Sequence, residues 1–551
     1  MYVDEDTVQT ALNRTGFGKF NIRVLLLSML IYLNCGNFIA GVGFIPPAAI
    51  CDFQMTTVEK GRITSAPMLG MAIGATFWGF FADLRGRRPA LLLSLCTGFL
   101  FEILSALVSN YWIFVVLKFF TGVSITGQIC VIFTFLGEFQ PEKQRNKMLS
   151  WMEFAWVVGV LVAALLAWGV IPLPISFKLS YWFFGSWKLF VVIGTLPAFF
   201  SALYILTIPE TPKYLAENGK SVKLLSVLYM IYHENTGNSY DSFKAELLSI
   251  GSPAIQDLFA EEKISKLCNP KEERKMKQQA RKEKMKNLLH TSKKQMHTLV
   301  KAPYAKRLFS VSCIMFCITS TYYALMTWFP ELFQRSADYT NFHNGQTESF
   351  CKVSSWFSQV AGNKTVVNQT DFSNDIHEDF SVTECKSEID TSVYLNTVIL
   401  AVASLPCAVI IPPTIDYVGY RLYLFITAFI ACITTVAMYF VSDTTETLFL
   451  SGIFESLNAM NISLIYCFIV ELFPTNLRVT ATGITQFIGR VGSFTGNVLF
   501  GFLIDNFCTS LFIIMSIQLL IATLMTWMTP GNKKMKKIQQ LENKGNIAPI
   551  V

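Results

Sequence analysis

The feature that most constrains this 551-residue chain is its series of long apolar runs. Each run holds about 18 or more mostly apolar residues, enough to cross a hydrocarbon core of roughly 30 Å as a helix. Because a bilayer offers no water to backbone groups, such runs must be helical. We count twelve: Val24–Ile45, Ile63–Ala82, Ala90–Val108, Trp112–Gly137, Phe154–Ile171, Trp187–Ile208, Leu308–Phe329, Tyr394–Pro412, Leu422–Val441, Leu448–Val470, Ala481–Ile504 and Leu511–Trp527.

Composition supports a membrane protein and argues against a soluble one. Apolar residues make up 52% of the chain and charged residues 15%, whereas soluble domains carry about 25% charged residues. A soluble fold has no place to bury 47 phenylalanines together with the other apolar residues. The fold class is therefore predicted to be an all-α membrane protein, embedded in a lipid bilayer. The net charge of +7 is explained by topology, and no nucleic-acid partner is expected.

Basic clusters predict which ends of the helices face the cytoplasm. They lie in Leu84–Pro89, in the ten Lys and Arg residues from Lys271 to Lys294, and in Lys533–Lys537. With twelve spans, all three fall on one side, which the positive-inside rule makes cytoplasmic, together with both termini. The acidic start of the chain lacks the apolar core of a cleaved signal peptide. Lys271–Leu289 is expected to form either a basic helix on the inner leaflet or a solvated helix, within a central loop that is mostly solvated.

The loop of residues 331–390 has the opposite character. It carries ten acidic and four basic residues, sequons at Asn363 and Asn368, and the cysteines Cys351 and Cys385. Sequons and paired cysteines are typical of a non-cytosolic, oxidising compartment. We therefore predict glycans on both asparagines and a Cys351–Cys385 disulfide. The alternative is two free thiols and unused sequons in a loose loop.

Two cytoplasmic segments recur at an offset of 333 residues. The pairs are Asp83/Asp416, Gly86/Gly419, Arg88/Arg421, Glu138/Glu471, Pro141/Pro474 and Arg145/Arg478. Two motifs in one common register indicate a duplicated six-helix unit. The predicted organisation is an N-terminus (1–23), a first half (24–208), a basic central loop (209–307), a second half (308–528) and a tail (529–551).

The motif between spans two and three resembles the signature of the major facilitator superfamily. Its matching residues are Gly79, Asp83, Gly86, Arg87 and Arg88. The E-x6-R pairs and "PETPKYL" (Pro209–Leu215) are similar to the sugar-porter and organic-ion branch. Spans five to seven, with "GSWKLFVVIGTLPAFFSAL" and "YYALMTWFPELF", resemble the synaptic vesicle glycoprotein 2 family. The resemblance implies twelve helices in two pseudo-symmetric halves that rock around a central site.

The repeated motifs suggest gating at the inner ends of the helices. We expect Gly79 to allow close helix approach and Asp83 to face a helix end or an arginine. Glu138 with Arg145, and Glu471 with Arg478, are expected to form clamps that break during the transport cycle. The alternative is that these charges only anchor loops and set topology.

Charges inside spans are the first candidates for a substrate cavity because they are costly in a bilayer. They are Lys118, Glu102, Glu455 and Arg490, whereas Glu153 is interpreted as part of a capping box at the start of span five. Trp156 matches a tryptophan in the ligand pocket of the synaptic vesicle family and is a further cavity candidate, although packing alone is an equal alternative.

The chain departs from that family at several positions. Cys35, Phe38 and Tyr466 stand where the family has acidic residues, Ile462 replaces a tryptophan, and Lys118 replaces an arginine. Proton coupling would therefore have to use Glu102 or Glu455, or be absent.

The sequence favours a secondary transporter of a small organic solute in the plasma or a vesicle membrane. Arg490 and Lys118 slightly favour an anionic or zwitterionic solute, unless the glutamates pair with them. The alternative is a non-transporting trafficking or ligand-binding protein. An enzyme is the least favoured class, since no Walker loop, metalloprotease motif or nucleophile elbow occurs, and no cofactor or metal is expected.

Overall fold

The computed structural model describes residues 5–179, 182–249, 293–301, 304–367, 389–473 and 475–529, together with residues 255 and 259. Eleven helices in these ranges are long and apolar enough to cross a membrane. A further helix of 29 residues covers most of the remaining predicted run. We number the twelve α1 Lys19–Val42, α2 Thr57–Arg85, α3 Arg87–Leu107, α4 Tyr111–Phe139, α5 Glu142–Val170, α6 Ser186–Ile205, α7 Tyr304–Phe342, α8 Thr391–Val418, α9 Tyr420–Phe440, α10 Thr444–Leu472, α11 Thr475–Leu503 and α12 Cys508–Met528.

The helices pack as two equivalent sets of six, as the sequence repeat predicts. In the first half, α1 packs on α5, α2 on α4, and α3 on α4 and α6. In the second half, α7 packs on α11, α8 on α10, and α9 on α10 and α12. The halves meet along two related contacts, α2 with α11 and α5 with α8. This arrangement places any central site between α1, α5, α7, α10 and α11.

The two ends of the bundle carry different structures. At one end lie the Gly86 turn, the helix Glu5–Arg14 and the helices that follow α6. At the other end lie the helix Phe350–Val367 and a hairpin of β1 (Ser176–Leu179) and β2 (Trp182–Gly185), in which Phe177 pairs with Phe184. We call the first the motif end, after the repeated Gly86 motif, and the second the disulfide end, after the bond that Cys351 of the helix Phe350–Val367 forms with Cys508.

The start of the central loop is folded, which the prediction of a mostly solvated loop did not anticipate; residues 250–292, apart from 255 and 259, lie outside the described ranges, so for them it stays a prediction. Pro212–Glu217, Ser221–Thr236 and Tyr240–Leu248 are helices that contact one another or the helix Glu5–Arg14. Leu228, Ile231 and Phe243 are buried among them because the apolar residues of these short helices share one face. Asn235 joins this layer to α1, since its side-chain oxygen accepts from the Phe20 N–H at 3.1 Å and its amide donates to Asn21 Oδ1 at 2.8 Å.

Helix α7 is longer than predicted. It continues to Phe342, so Glu331 and Arg335 lie on its last turns and not in a loop. Several predictions concern residues outside the described ranges, namely those for Lys271–Leu289, Asn368, Cys385 and the tail from residue 530. The helix Phe350–Val367 includes Asn363, whose side chain is not described.

Candidate functional site

Gly86 forms the turn between α2 and α3, and its conformation explains why glycine stands there. Its φ of +113° is rarely adopted by other residues, and an added Cβ would collide with Glu210 Oε2. The backbone N–H groups of Arg87 and Arg88 donate to Glu210 Oε1 at 3.1 and 3.2 Å. Burial raises the pKa of the Glu210 carboxyl, against these donors, which lower it. The turn thus forms a carboxylate-binding site at the N-terminus of α3, occupied by Glu210.

Arg88 and Arg421 make equivalent hydrogen bonds in the two halves. The Arg88 guanidinium donates to the carbonyls of Ile205 (3.3 Å) and Leu206 (2.8 Å) at the end of α6. Arg421 donates to the carbonyls of Thr526 and Trp527 at the end of α12. Each arginine therefore caps the last helix of its own half, satisfying carbonyls that the helix leaves free.

Glu138 pairs with Arg87 and not with Arg145, which corrects the expected clamp. Arg87 lies 3.1 Å from Glu138 and 3.6 Å from Asp83. Arg145 instead donates to the carbonyl of Gly137, as well as to Gln9. The physical reason is that Arg145, one turn into α5, folds back onto the end of α4. None of these contacts joins the first half to the second.

The remaining motif residues give a mixed result. Gly79 faces open space, so the expected close helix approach at this glycine does not occur. Gly419 has a φ of +83° and repeats the turn at Gly86. The side chains of Asp416, Glu471 and Arg478 are not among those described.

The disulfide prediction is wrong in its pairing, because Cys351 is bonded to Cys508 and not to Cys385. The two Cα atoms are 5.4 Å apart, a normal separation for a bridge. Cys508 begins α12 and therefore lies at the same end of the bundle as the helix Phe350–Val367. Cys51 is also disulfide-bonded.

The disulfide end is closed by an ion-pair network that the sequence analysis did not identify. Lys60 of α2 donates to Glu331 of α7 at 2.6 Å, across the two halves. Arg335 binds Glu331 at 3.0 Å and Asp505 at 2.7 Å, and donates to Thr57 of the first half at 3.0 Å. Lys60, Glu331 and Arg335 are buried. We call these five residues the cross-half network.

Beside this network, α2 and α11 touch at two glycines. A Cβ added to Gly501 would lie 2.9 Å from Gly61 Cα and 3.2 Å from the ring of Trp328. Only glycine allows two helix backbones to approach so closely. The halves are therefore in direct backbone contact at the disulfide end.

An aromatic cavity lies between the halves near the middle of the bundle. Trp156 of α5, Tyr322 of α7 and Glu455 of α10 line it together with Ser404 of α8. The ring of Tyr32 lies 5.2 Å from that of Trp156. Glu455 is buried, and its Oε2 has no hydrogen-bond partner among the described residues. We call this the central cleft.

Arg490 of α11 stands beside the cleft. Its guanidinium lies over the Tyr323 ring, 5.3 Å from the centroid, and that ring is 5.0 Å from Tyr322. Arg490 is 9% exposed, and its Nη1 has no hydrogen-bond partner among the described residues. No described carboxylate lies within ion-pair distance of it. A buried cation without an ionic partner among the described residues therefore lies beside the cleft.

Glu153 is not part of a capping box, because α5 begins at Glu142 and places Glu153 three turns inside the helix. Its carboxyl lies near Tyr32 of α1 and Ser463 of α10, although Ser463 Oγ has no hydrogen-bond partner among the described residues. Ser463 belongs to the other half, so Glu153 contributes to the interface.

Lys118 and Glu102 do not face the central cleft. They form a buried ion pair between α4 and α3. Glu102 lines a second cavity inside the first half, together with Asn34 and Asn37 of α1 and Gln128 of α4. We call this the N-half cavity. The predicted cavity residues thus divide between two places: Trp156 and Glu455 line the central cleft with Arg490 beside it, whereas Glu102 and Lys118 lie at the N-half cavity.

Comparison with known proteins agrees with this architecture. A family model described as sugar (and other) transporter matches residues 23–247, and one described as Major Facilitator Superfamily matches residues 375–549. One match therefore falls in each half. The chain has the major facilitator fold and is similar to transporter families in both halves.

The chain is also similar to synaptic vesicle glycoproteins. It is 34% identical to synaptic vesicle glycoprotein 2A of Rattus norvegicus over 229 residues, which are 41% of this chain and 31% of that protein. Glycoprotein 2C of Mus musculus is 32% identical over 222 residues, 40% of this chain and 30% of the relative. The match thus spans less than a third of each relative.

Solved structures with the same major facilitator fold include the xylose transporter XylE from E. coli. Its partially occluded inward open conformation covers 93% of this chain and all of XylE, with a TM-score of 0.62 and 15% sequence identity. At that identity the likeness concerns the fold alone.

Proposed function

We propose that this protein moves a small organic solute across its membrane by rocking its two halves around the central cleft. The observation that carries the proposal is the cross-half network. Buried ion pairs join the halves at the disulfide end, whereas the Arg87–Glu138 and Arg145 contacts at the motif end remain within one half. The two halves are thus joined at the disulfide end by ion pairs, which can break and re-form as alternating access requires.

The orientation proposed from the sequence fits this arrangement. The disulfide and the sequon-bearing segment belong on the non-cytosolic side. The Gly86 turn, with its basic residues, belongs on the cytoplasmic side. The described state is then closed to the outside.

The central cleft favours a zwitterionic or anionic solute. Lys118 no longer contributes to this argument because Glu102 neutralises it. Among the described residues, Arg490 is the cation beside the cleft, and Glu455 Oε2, which has no hydrogen-bond partner there, lies beside Trp156 and Tyr322. A solute carboxylate would compensate Arg490, and a solute amine would bind Glu455 and the aromatic rings.

Reconstituted protein provides the test. Liposomes containing the full chain are offered radiolabelled zwitterionic amino acids, monocarboxylates and hexoses in parallel. We expect saturable uptake of a zwitterion or carboxylate, abolished by Arg490→Gln. Arg62→Gln is the matched control, since Arg62 is exposed on α2 and stacks on Trp112 away from the cleft. Uptake that survives Arg490→Gln would refute the role of this charge.

The alternative, a ligand-binding or trafficking protein without transport, makes a different prediction. The same solutes would bind purified protein saturably and would displace one another, but liposomes would accumulate none of them. Its support is the similarity to synaptic vesicle glycoproteins.

A further inference from the structure

A short helix of residues 293–299 stands just before α7 and has no part in the proposed transport cycle. One side of this helix packs on the second half. Leu299 is fully buried, in the same apolar cluster as Phe473. Gln295 Oε1 accepts a hydrogen bond of 2.7 Å from the hydroxyl of Thr480, in the second turn of α11. The helix therefore has a fixed place against the second half, at the end of the bundle where α7 and α11 begin.

The contact with Thr480 also sets the height of this helix relative to the bilayer. Thr480 directly precedes Ala481, the first residue of the apolar run in α11. The Lys301 carbonyl accepts a hydrogen bond of 3.0 Å from the first turn of α7, whose apolar run begins at Leu308, about 10 Å of helix further on. The headgroup region is about 5–8 Å thick on each side of a bilayer. Residues 293–301 therefore lie at the membrane surface.

The free side of the helix exposes apolar side chains outside the membrane spans. Met296 is 51% exposed and Val300 is 67% exposed. These residues are four positions apart, so they share one face of the helix. Removing such a face from water is favourable, and at this height the adjacent apolar phase is the edge of the bilayer.

Cations border this apolar face. Lys293, Lys294 and Lys301 are exposed, and residues 293–301 contain no acidic residue. Lys293 lies two turns before Val300, on the same side of the helix, whereas Lys294 and Lys301 lie two turns apart on the neighbouring side. Long lysine side chains can follow an apolar surface while their ammonium groups reach polar partners. The helix therefore combines an apolar face with a basic border.

We propose that residues 293–301 bind acidic phospholipids of the leaflet that surrounds the motif end. Met296 and Val300 enter the boundary between headgroups and acyl chains, and the ammonium groups of Lys293, Lys294 and Lys301 bind lipid phosphates. Basic amphipathic helices bind anionic membranes through this combination of apolar burial and electrostatic attraction. The proposal goes beyond transport and does not depend on it.

The position of the helix favours a lipid over an acidic peptide as the partner. Its contact with Thr480 holds it beside the first apolar residues of a membrane helix. A peptide would have to displace headgroups to cover Met296 and Val300, whereas lipids are already present at this height.

A fluorescent probe at Val300 provides the test. Full-length protein carrying Val300→Cys is labelled with an environment-sensitive NBD dye and reconstituted in phosphatidylcholine liposomes. A small fraction of the lipid carries a nitroxide quencher on the acyl chain near the headgroup, either as phosphatidylserine or as phosphatidylcholine. We expect quenching by both lipids and stronger quenching by phosphatidylserine at the same fraction. Each lysine should raise the local enrichment of phosphatidylserine roughly fivefold at low salt.

Ala245→Cys is the control position. Ala245 is exposed on the helix Tyr240–Leu248, which packs on the helices Ser221–Thr236 and Glu5–Arg14. A dye at Ala245 should show little quenching by either lipid. Protein without an introduced cysteine gives the labelling background.

Charge variants separate acidic-lipid binding from simple proximity to the membrane. Replacing Lys293, Lys294 and Lys301 together by Gln should remove the excess quenching by phosphatidylserine and leave quenching by phosphatidylcholine. The matched control replaces three exposed lysines of the first half, Lys143, Lys147 and Lys223, by Gln. It removes the same net charge and should leave both quenching signals at Val300 unchanged.

Three results would overturn the proposal. They are a Val300 probe that neither lipid quenches, equal quenching by the two lipids in the parent protein, and an excess that survives the Lys293, Lys294 and Lys301 substitutions. An unquenched Val300 probe whose emission shifts on addition of an acidic peptide would assign the surface to a protein partner instead.

Discussion

Lys60 and Glu331, 271 residues apart in the chain, form an ion pair of 2.6 Å between the two halves of the bundle. Removing one partner of a buried pair costs more than removing an exposed one, because the other charge is left without compensation. Here Glu331 keeps Arg335 as a second partner. The contact therefore biases the protein toward closure of the disulfide end without making that closure permanent.

Lys60→Ala should open the disulfide end more often. Losing one charge-assisted hydrogen bond is worth about 1.5–3 kcal/mol, which corresponds to roughly a tenfold or larger rise in the open population. Arg335→Ala should have a larger effect, because it releases Glu331, Asp505 and Thr57 together. The measurement is the labelling rate of Ser404→Cys, a cleft residue, by an impermeant maleimide added at the disulfide end.

Lys352→Ala is the control for this experiment. Lys352 pairs with Glu348 at the same end, but the side chain is 68% exposed and contacts only its own half. Labelling should match that of the parent protein, and protein without the Ser404 substitution gives the background. Equal labelling in the Lys60 and Lys352 variants would show that the network does not gate access.

Gly501→Ala should prevent full closure of the same end. The added methyl group would lie 2.9 Å from Gly61 Cα, so α2 and α11 must separate. Gly483→Ala on the same helix meets no atom within 4 Å and should be tolerated. We expect faster maleimide labelling at Ser404→Cys in the Gly501 variant only. Identical rates in both variants would contradict the close helix crossing.

Cys508→Ser should destabilise the protein, whereas Cys432→Ser should not. Loss of a native disulfide commonly costs about 2–5 kcal/mol, and Cys432 is a free, half-buried thiol. Thermal unfolding of purified protein measures the difference. Mass spectrometry of non-reduced peptides should find Cys351 linked to Cys508; a Cys351–Cys385 peptide would restore the pairing expected from the sequence.

Gly86→Ala should lower the unfolding temperature more than Gly237→Ala. Both glycines have positive φ, +113° and +76°, so both variants carry a backbone cost of about 1–3 kcal/mol. Only Gly86 faces the Glu210 carboxylate, whereas nothing lies within 4 Å of Gly237. Equal decreases in unfolding temperature would mean that the contact with Glu210 does not stabilise the turn.

The sequence predicted the membrane helices and the repeat because both depend on patterns that are local or periodic. A run such as Tyr394–Pro412 must be a helix wherever it packs. Gly86 and Gly419 keep their turns because each turn needs a glycine in the same conformation. The capping interpretation of Glu153 failed because α5 begins earlier, in a polar stretch that hydropathy alone does not assign to a helix.

The cross-half network could not be predicted, since its partners come from distant helix ends where charges are expected for topology alone. The Glu331/Arg335 spacing of four residues was the available signal, but it fell within a segment interpreted as a loop. Similarly, Lys118 and Arg490 are both cations inside spans. The sequence does not show that Glu102, sixteen residues from Lys118, pairs with Lys118 and leaves Arg490 without a carboxylate partner.

The Cys351–Cys508 bond also has a consequence for biosynthesis. The two cysteines are 157 residues apart, and helices α8 to α11 lie between them. At about 5–20 residues per second, a ribosome needs roughly ten to thirty seconds to make the second cysteine after the first. Until then the Cys351 thiol is available to the wrong partner. The Cys351–Cys508 bond can therefore form only after the start of the last helix has been synthesised. Chains truncated before Cys508 would keep an unpaired Cys351 thiol, which the quality-control machinery of the cell could recognise.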